Sequence, residues 1–311
     1  MMRIIITGGS GLIGRALANS LAADQHEVVL LSRSPGRVTN LPSNVRAVAW
    51  DGHTAQGWGE LADGAGAIVN LAGESIAGEG FLPLRWSDER RQRIRDSRIN
   101  AGRAVTAAVA GATQKPRVVI QASAIGYYGV HGDEALDESA PAGKDFLANV
   151  CREWEASSAG VETAGVRRVI IRIGVVLSTQ GGALTRVLLP YRLFGGGRFG
   201  SGRQYWSWIH LDDVVRAIRA SIEDEQFAGP INLTAPNPHT NNDFGKTLGQ
   251  VLGRPHWLPV PAFALKLPFG EVTTVVLDGQ RVLPAKLQHA GFAFHFPQLA
   301  PALQDLIKRN V

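Results

Sequence analysis

The sequence predicts an α/β chain: a doubly wound parallel sheet with helices on both faces, followed by a smaller C-terminal region. Three observations carry that prediction. Short apolar runs alternate with helical patterns over about the first 180 residues. A glycine-rich turn joins the first apolar run to the first helical pattern. Past Gln226 the composition changes, and prolines recur from Pro230 to Pro268.

Taken in order, the strands are read at Arg3–Thr7, Glu27–Ser32, Arg46–Trp50, Ala67–Leu71, Val118–Ser123 and Val169–Ile173. Helical periodicity marks Leu12–Ala23, roughly Ser87–Ala110, and Phe146–Ser158. Residues 1–235 form one domain in this reading, with 175–207 contributing to the substrate side. Residues 236–311 form a small C-terminal domain that leaves the sheet, covers an edge of the first domain and supplies a substrate wall.

Composition excludes several classes of function. At 45% hydrophobic and 19% charged residues the chain can bury a core, which argues against disorder. No apolar run approaches the ~18 residues of a membrane-spanning helix, and the N-terminus lacks the pattern of a signal peptide. Cys151 is the only cysteine, so no intrachain disulfide can form and thiolate zinc sites are excluded. No metal is expected, and a cytoplasmic protein is the default. The net charge of +5 raises the question of nucleic acid. Arginines are scattered, however, and the one dense stretch, Arg85 to Arg103, is interleaved with Asp88, Glu89 and Asp96, as on a solvated helix face. Neither nucleic acid nor membrane is expected as a partner; an anionic small ligand suits the charge equally well.

The strongest motif is Gly8-Gly9-Ser10-Gly11-Leu12-Ile13-Gly14, which follows the apolar Ile4-Ile5-Ile6. Glycines at 8, 11 and 14 allow a tight turn, close backbone approach to a pyrophosphate, and packing of helix on strand. The helix N-terminus then offers free N–H groups to phosphate. The end of the second strand reads Ser32-Arg33, with Arg37 close behind and no acid to hold a ribose 2′-hydroxyl. A guanidinium suits a 2′-phosphate, so NADP(H) is the expected cofactor, unless Arg33 is a solvated loop residue. Asp51, at the end of the third strand, is placed either to accept from an adenine amine or to close an ordinary turn.

The loop Gly8–Gly14 resembles that of the extended short-chain dehydrogenases/reductases, as do Asn70-Leu71-Ala72-Gly73 and Tyr128-Gly129. More specific strings resemble one atypical branch, the "epimerase family" proteins also called nucleoside-diphosphate-sugar epimerases. These are Asn70-Leu71-Ala72-Gly73-Glu74, Ser97-Arg98-Ile99, Ser123-Ala124-Ile125-Gly126-Tyr127-Tyr128-Gly129 and Trp208-Ile209-His210. Gly279-Gln280-Arg281-Val282-Leu283-Pro284 and Gly291-Phe292 match the domain of unknown function that ends those proteins. The resemblance spans essentially the whole chain. It implies a Rossmann-type fold that binds NADP(H), with Leu71, Ala72 and Gly73 also on the cofactor.

Ordinary members of that superfamily use a tyrosine with a lysine four residues on, the lysine lowering the tyrosine's pKa for proton exchange. No Tyr-x-x-x-Lys exists here: the four tyrosines are followed at that spacing by His131, Gly132, Gly195 and Ile209. Leu147 and Cys151 stand at the two positions. Leu147, Cys151 and Trp154 share one helix face, which leaves Cys151 as a packed core residue or, on a pocket wall, a proton donor or redox-sensitive thiol. Ser123 is the hydroxyl expected near a substrate oxygen; counting from Tyr128-Gly129 instead puts Ala124 at that position. Tyr127 or Tyr128 could take over the acid/base task, or both could cover the cofactor ring. Arg98 interrupts the apolar stripe Ile94, Ala101, Val105, Ala108, so it needs an anionic or carbonyl partner or orients the active site. His210 either caps a helix or meets a ligand. The loop Gly78–Trp86, apolar, aromatic and basic, is suited to close over a substrate, and Arg192 and Arg203 could recognise an anionic group. The leading expectation is an NADP(H)-dependent oxidoreductase or epimerase-like enzyme on a small molecule. Its rival is a non-catalytic NADPH-sensing protein.

Overall fold

The computed structural model describes residues 1–78 and 80–309. Its centre is a seven-stranded, wholly parallel sheet. The strands are β1 (Arg3–Thr7), β2 (Glu27–Ser32), β3 (Val45–Ala49), β4 (Ala67–Asn70), β5 (Val118–Ala124), Arg167–Ile173 and Gly229–Leu233. Their order, from one edge, is Gly229–Leu233, Arg167–Ile173, β5, β4, β1, β2, β3. The chain winds outward in opposite directions from β1 and β4, so the topological switch falls between those two strands. Open α/β sheets bind ligands outside the strand carboxyl ends at such a point.

Period-two alternation sorts the sheet's side chains onto its two faces. Ile4 and Ile6 of β1 pack with Leu17, Ala18 and Leu21 of α1 (Leu12–Ala23) and with Val214 and Ile218 of the helix Leu211–Glu223. Ile5 faces the other way, toward Ala101, Val105 and Ala108 of α2 (Asp88–Gly111). The N-terminus of α2 is capped by Ser87, whose hydroxyl accepts from the Arg90 N–H at 3.2 Å. The helix α3 (Phe146–Ser157) begins at Asp145, whose carboxylate accepts from the Ala148 N–H at 2.9 Å.

Within residues 1–235 the sheet takes one strand beyond the six read from the sequence, Gly229–Leu233, at its edge. An edge strand tolerates Pro230, because only one side of its backbone is paired. Residues beyond it build a second core: Phe244 and Leu248 of the helix Asn241–Leu252, and Leu303 and Leu306 of the helix Leu299–Lys308, enclose Leu184, Leu188 and Trp206. The C-terminal segment also returns to the first domain. Arg281–Val282 pairs in parallel with Ala135–Leu136, and the Glu138 carboxylate accepts from the Asn232 and Lys286 N–H groups. Among the described residues no helix is long and apolar enough to cross a membrane.

Candidate functional site

The turn after β1 is closed by the Gly11 N–H donating to the Gly8 carbonyl at 3.0 Å. Gly8 has φ +65°, and a Cβ there would lie 2.7 Å from the Leu71 carbonyl oxygen, so only glycine fits. At Gly14 a Cβ would lie 2.5 Å from the Gly8 carbonyl oxygen, which is how α1 comes to pack directly on the turn. Thr7 locks the switch point from below. Its hydroxyl donates to Asn70 Oδ1 at 2.6 Å and accepts from the Leu71 and Ala72 N–H groups at 3.1 Å. The N-cap of α1 is Gly11, with no side-chain cap and no acid in the first turn. Its leading N–H groups and dipole are therefore left for an anionic ligand.

Two cavities meet at this turn, and Gly8, Gly11 and Leu71 line both. The first, of about 520 Å³, runs over the carboxyl ends of β1 to β3 past Ser10, Ser32, Arg33, Arg37, Asp51 and Ala72-Gly73. Arg33 and Arg37 are exposed and make no ion pair among the described residues, so both guanidinium groups are open to a ligand phosphate. The Asp51 carboxylate is engaged in the strand-end turn, accepting from the N–H groups of His53 and Thr54 at 2.7 and 2.8 Å. Gly9 lines neither cavity: it is a packing position, where a Cβ would meet Leu30 at 2.6 Å. Leu12, Ile13 and Gly14 line the second cavity. A glycine cradle, an uncapped helix start and two arginines without ion pairs form a donor set that fits a phosphorylated dinucleotide.

The second cavity, of about 540 Å³, has mostly apolar walls, among them Trp86, Ile94, Leu147, Val150, Ile173 and Val176. The α3 face predicted from spacing is part of its wall, since Leu147, Cys151 and Trp154 all line it. Ala122 and Ala124 of β5 line it as well, and Ser123 does not. Ser123, 2% exposed, donates instead to Glu155 Oε1 at 2.7 Å. Arg172 grips the same carboxylate through Nε (2.9 Å) and Nη2 (3.1 Å), and its Nη1 donates to Tyr128 Oη at 3.1 Å. Tyr128 donates onward to Asn232 Oδ1 at 2.7 Å, and the Tyr127 ring stacks under the Arg172 guanidinium.

This network corrects the expectations for Ser123, Tyr127 and Tyr128. Ser123 and Tyr128 have their hydroxyls committed to buried partners, and burial pushes the Tyr128 phenol up to about 12 despite the Arg172 charge. Neither they nor Tyr127 line the cavity. Cys151 lines the cavity, the position that its readings as a proton donor or redox-sensitive thiol required. Burial pushes its pKa up to about 11 although Arg98 pulls it down, so it stays a protonated thiol at neutral pH. Arg192 and Arg203 line neither cavity.

Arg98 lies in the cavity wall, and of the partners open to it the structure shows the carbonyl and no counter-ion. Its Nη1 donates to the Ile94 carbonyl of its own helix at 2.8 Å, and its Cζ stands 5.0 Å from the Trp154 ring centroid. Burial lowers its pKa, which the fields of Cys151 and Glu74 oppose, and it forms no ion pair among the described residues. His210 is fully buried and outside both cavities: its Nδ1 accepts from the Asp212 N–H at 3.1 Å, the capping alternative. Of the loop Gly78–Trp86, Trp86 lines the cavity and Arg186 donates to the carbonyls of Gly78 and Gly80; Glu79 lies outside the described residues.

Beyond Cys151, sequence reasoning missed the groups on the cavity wall that can carry a proton. Tyr205, Asp145 and Asp278 line it, beside Glu271, which pairs with Arg91. The Asp278 carboxylate has no hydrogen-bond partner among the described residues, and burial together with the nearby Asp145 raises its pKa against the pull of Lys266. The C-terminal segment brings it there by lying along residues 204–207. Gln204 Nε2 donates to the Val276 carbonyl at 2.9 Å, and Ser207 Oγ to the Gln280 carbonyl at 2.7 Å. Gly279-Gln280-Arg281, noted above only as a family string, is the one sequence signal adjacent to Asp278.

Residues 4–233 match the model of the NAD dependent epimerase/dehydratase family, and residues 260–306 match a domain of unknown function, DUF1731. The chain is 40% identical over 315 residues to the epimerase family protein SDR39U1 homolog, chloroplastic, of Arabidopsis thaliana, covering 99% of this chain and 87% of that one. It is 40% identical over 307 residues to the epimerase family protein YfhF of Bacillus subtilis, covering 98% of each. The crystal structure of human epimerase family protein SDR39U1 (isoform 2) with NADPH matches the fold with a TM-score of 0.87 at 32% identity, covering 99% of each chain.

Proposed function

Because the chain belongs to the NAD dependent epimerase/dehydratase family, we propose that it is an NADP(H)-dependent oxidoreductase acting on a small molecule held in the apolar cavity. The observation that carries this reading is the junction of the two cavities at Gly8, Gly11 and Leu71, on the carboxyl side of the sheet's switch point. Ser32, Arg33 and Arg37 would hold the phosphorylated end of a dinucleotide at that turn, and the cavity lined by α3 would receive its nicotinamide end. The NADPH in the matched human structure supports the same assignment. When bound, the nicotinamide supplies or accepts a hydride.

The chain's own residues do the rest. The start of α1 and the glycine turn hold the pyrophosphate, and Arg33 and Arg37 select the 2′-phosphate. Apolar walls exclude water from the second cavity. With the tyrosines of the β5 end committed elsewhere, Asp278 is the carboxyl that holds and returns the substrate proton at its Oδ atoms, beside Tyr205.

Calorimetric titration of the wild type and Arg33→Ala with NADPH, NADP⁺, NADH and NAD⁺ tests the cofactor assignment. A preference of about tenfold or more for the phosphorylated forms, lost in the variant, is expected. Equal affinity for NADH would overturn it. The committed hydroxyls of Ser123 and Tyr128 favour the second reading, a protein that binds NADPH without turnover. It is distinguished by nicotinamide absorbance that stays constant across a screen of carbonyl and alcohol substrates.

A further inference from the structure

Arg98 carries a positive charge on the wall of an apolar cavity with only a backbone carbonyl of its own helix as partner. A guanidinium has five N–H donors, and one so placed calls for an acceptor-rich or anionic partner. Trp154, whose ring lies under it, is 6% exposed, and its indole Nε1 is buried with no hydrogen-bond partner among the described residues. Thus a guanidinium whose one hydrogen-bond partner is a carbonyl of its own helix stands beside an unpartnered indole N–H on the wall that α2 and α3 share.

The remaining lining narrows the ligand further. Asp145, Glu271 and Asp278 bring carboxyl groups to the same cavity, which disfavours a ligand with charge spread along its length, such as a nucleoside diphosphate. Phosphate chemistry is already provided for on the other side of the glycine turn, by Arg33 and Arg37. The cavity that Arg98 lines has Ile94, Leu147, Val150 and Ile173 among its walls, which suit a hydrocarbon body.

We propose that this cavity takes a monocarboxylate with an apolar body, its carboxylate bound by the Arg98 guanidinium and the Trp154 indole N–H. The proposal rests on the oxidoreductase reading for the cavity's role, and it specifies the substrate class. It places the apolar chain along α3 and sets the substrate apart from the sugar nucleotides handled by more distant structural neighbours such as the UDP-N-acetylglucosamine 4-epimerase of Methanobrevibacter ruminantium.

The test compares binding of octanoate, methyl octanoate and octan-1-ol by calorimetry, with and without saturating NADP⁺, in the wild type, Arg98→Met, Arg98→Lys and Trp154→Phe. Octanoate is expected to bind about tenfold or more tightly than either neutral probe, as a charge-assisted pair in an apolar site should. Arg98→Met should abolish that preference, with NADPH affinity moving by no more than about threefold. Arg98→Lys should keep part of the preference, and Trp154→Phe should reduce it severalfold. If Arg98→Met does not fold, as judged by circular dichroism, the lysine and phenylalanine variants decide. Equal binding of the three probes to the wild type overturns the proposal, as does a preference that survives in Arg98→Met. A tenfold loss of NADPH affinity in Arg98→Met, with no octanoate preference in the wild type, assigns the guanidinium to the cofactor's phosphates and also overturns it. A wild type that binds no nicotinamide cofactor fails the oxidoreductase reading alone; the comparison on cofactor-free protein still decides the carboxylate.

Discussion

Glu155 is held in a two-point grip by Arg172, with the Ser123 hydroxyl as a third partner, and both charged groups are nearly out of reach of water. Removing one member of such a pair strands the other. Glu155→Ala should therefore destabilise the fold by about 3–5 kcal/mol in urea unfolding, and Ser123→Ala by about 1–3 kcal/mol, with NADPH affinity retained in both. Asp278→Asn should behave in the opposite way. Its stability should stay near wild type while turnover falls by about a hundredfold or more and the acid limb of the pH–rate profile disappears. Here the sequence could be read only in part. The serine's role turned on whether residue 123 or 124 faces the cavity, and a one-residue slip moves a strand side chain to the opposite face. The partner that claims Ser123, Glu155, sits on α3, and the Arg172 that grips Glu155 sits on the neighbouring strand 49 positions from the serine, so nothing local announces the network.

The glycine turn and α1 were legible because each requirement is local: a strand, a left-handed glycine, a helix start without a cap. The helix Leu211–Glu223 has a less obvious start. His210 supplies its cap through Nδ1, is stacked on Phe296 and has Nε2 3.3 Å from Asp305. Burial depresses its pKa below the ordinary 6.5, outweighing the fields of Asp212 and Asp305, and burial depresses His256 as well. The sign follows directly. Between the folded and unfolded pKa values the unfolded chain binds more protons, so stability present above pH 6.5 is lost as pH falls through the folded values. Melting temperature should decline on acidification from pH 6.5, and His210→Gln should start lower but decline less steeply, as differential scanning fluorimetry across pH would record.

At the scale of the molecule, the C-terminal region is both cover and contributor. It encloses Leu184, Leu188 and Trp206, and it sends Asp278 into the cavity. A chain ended at residue 235 should therefore expose that apolar face and aggregate, seen as loss of the monodisperse peak in light scattering. The proline-rich composition announced a change of architecture there, but not that the chain doubles back along residues 204–207. That return is a long-range packing event, carried by side chain to backbone hydrogen bonds that leave no periodic trace.

Cys151 lies 5% exposed, its thiol protonated at neutral pH, and it is the chain's only sulfhydryl. A maleimide reacts with thiolate it can reach, so the native protein should label slowly if at all. A cysteine introduced at Leu82, 62% exposed on the loop beside the cavity, would then be the single fast-reacting site. A fluorophore or spin label there could report how that loop moves when ligands arrive, in an otherwise unmodified background.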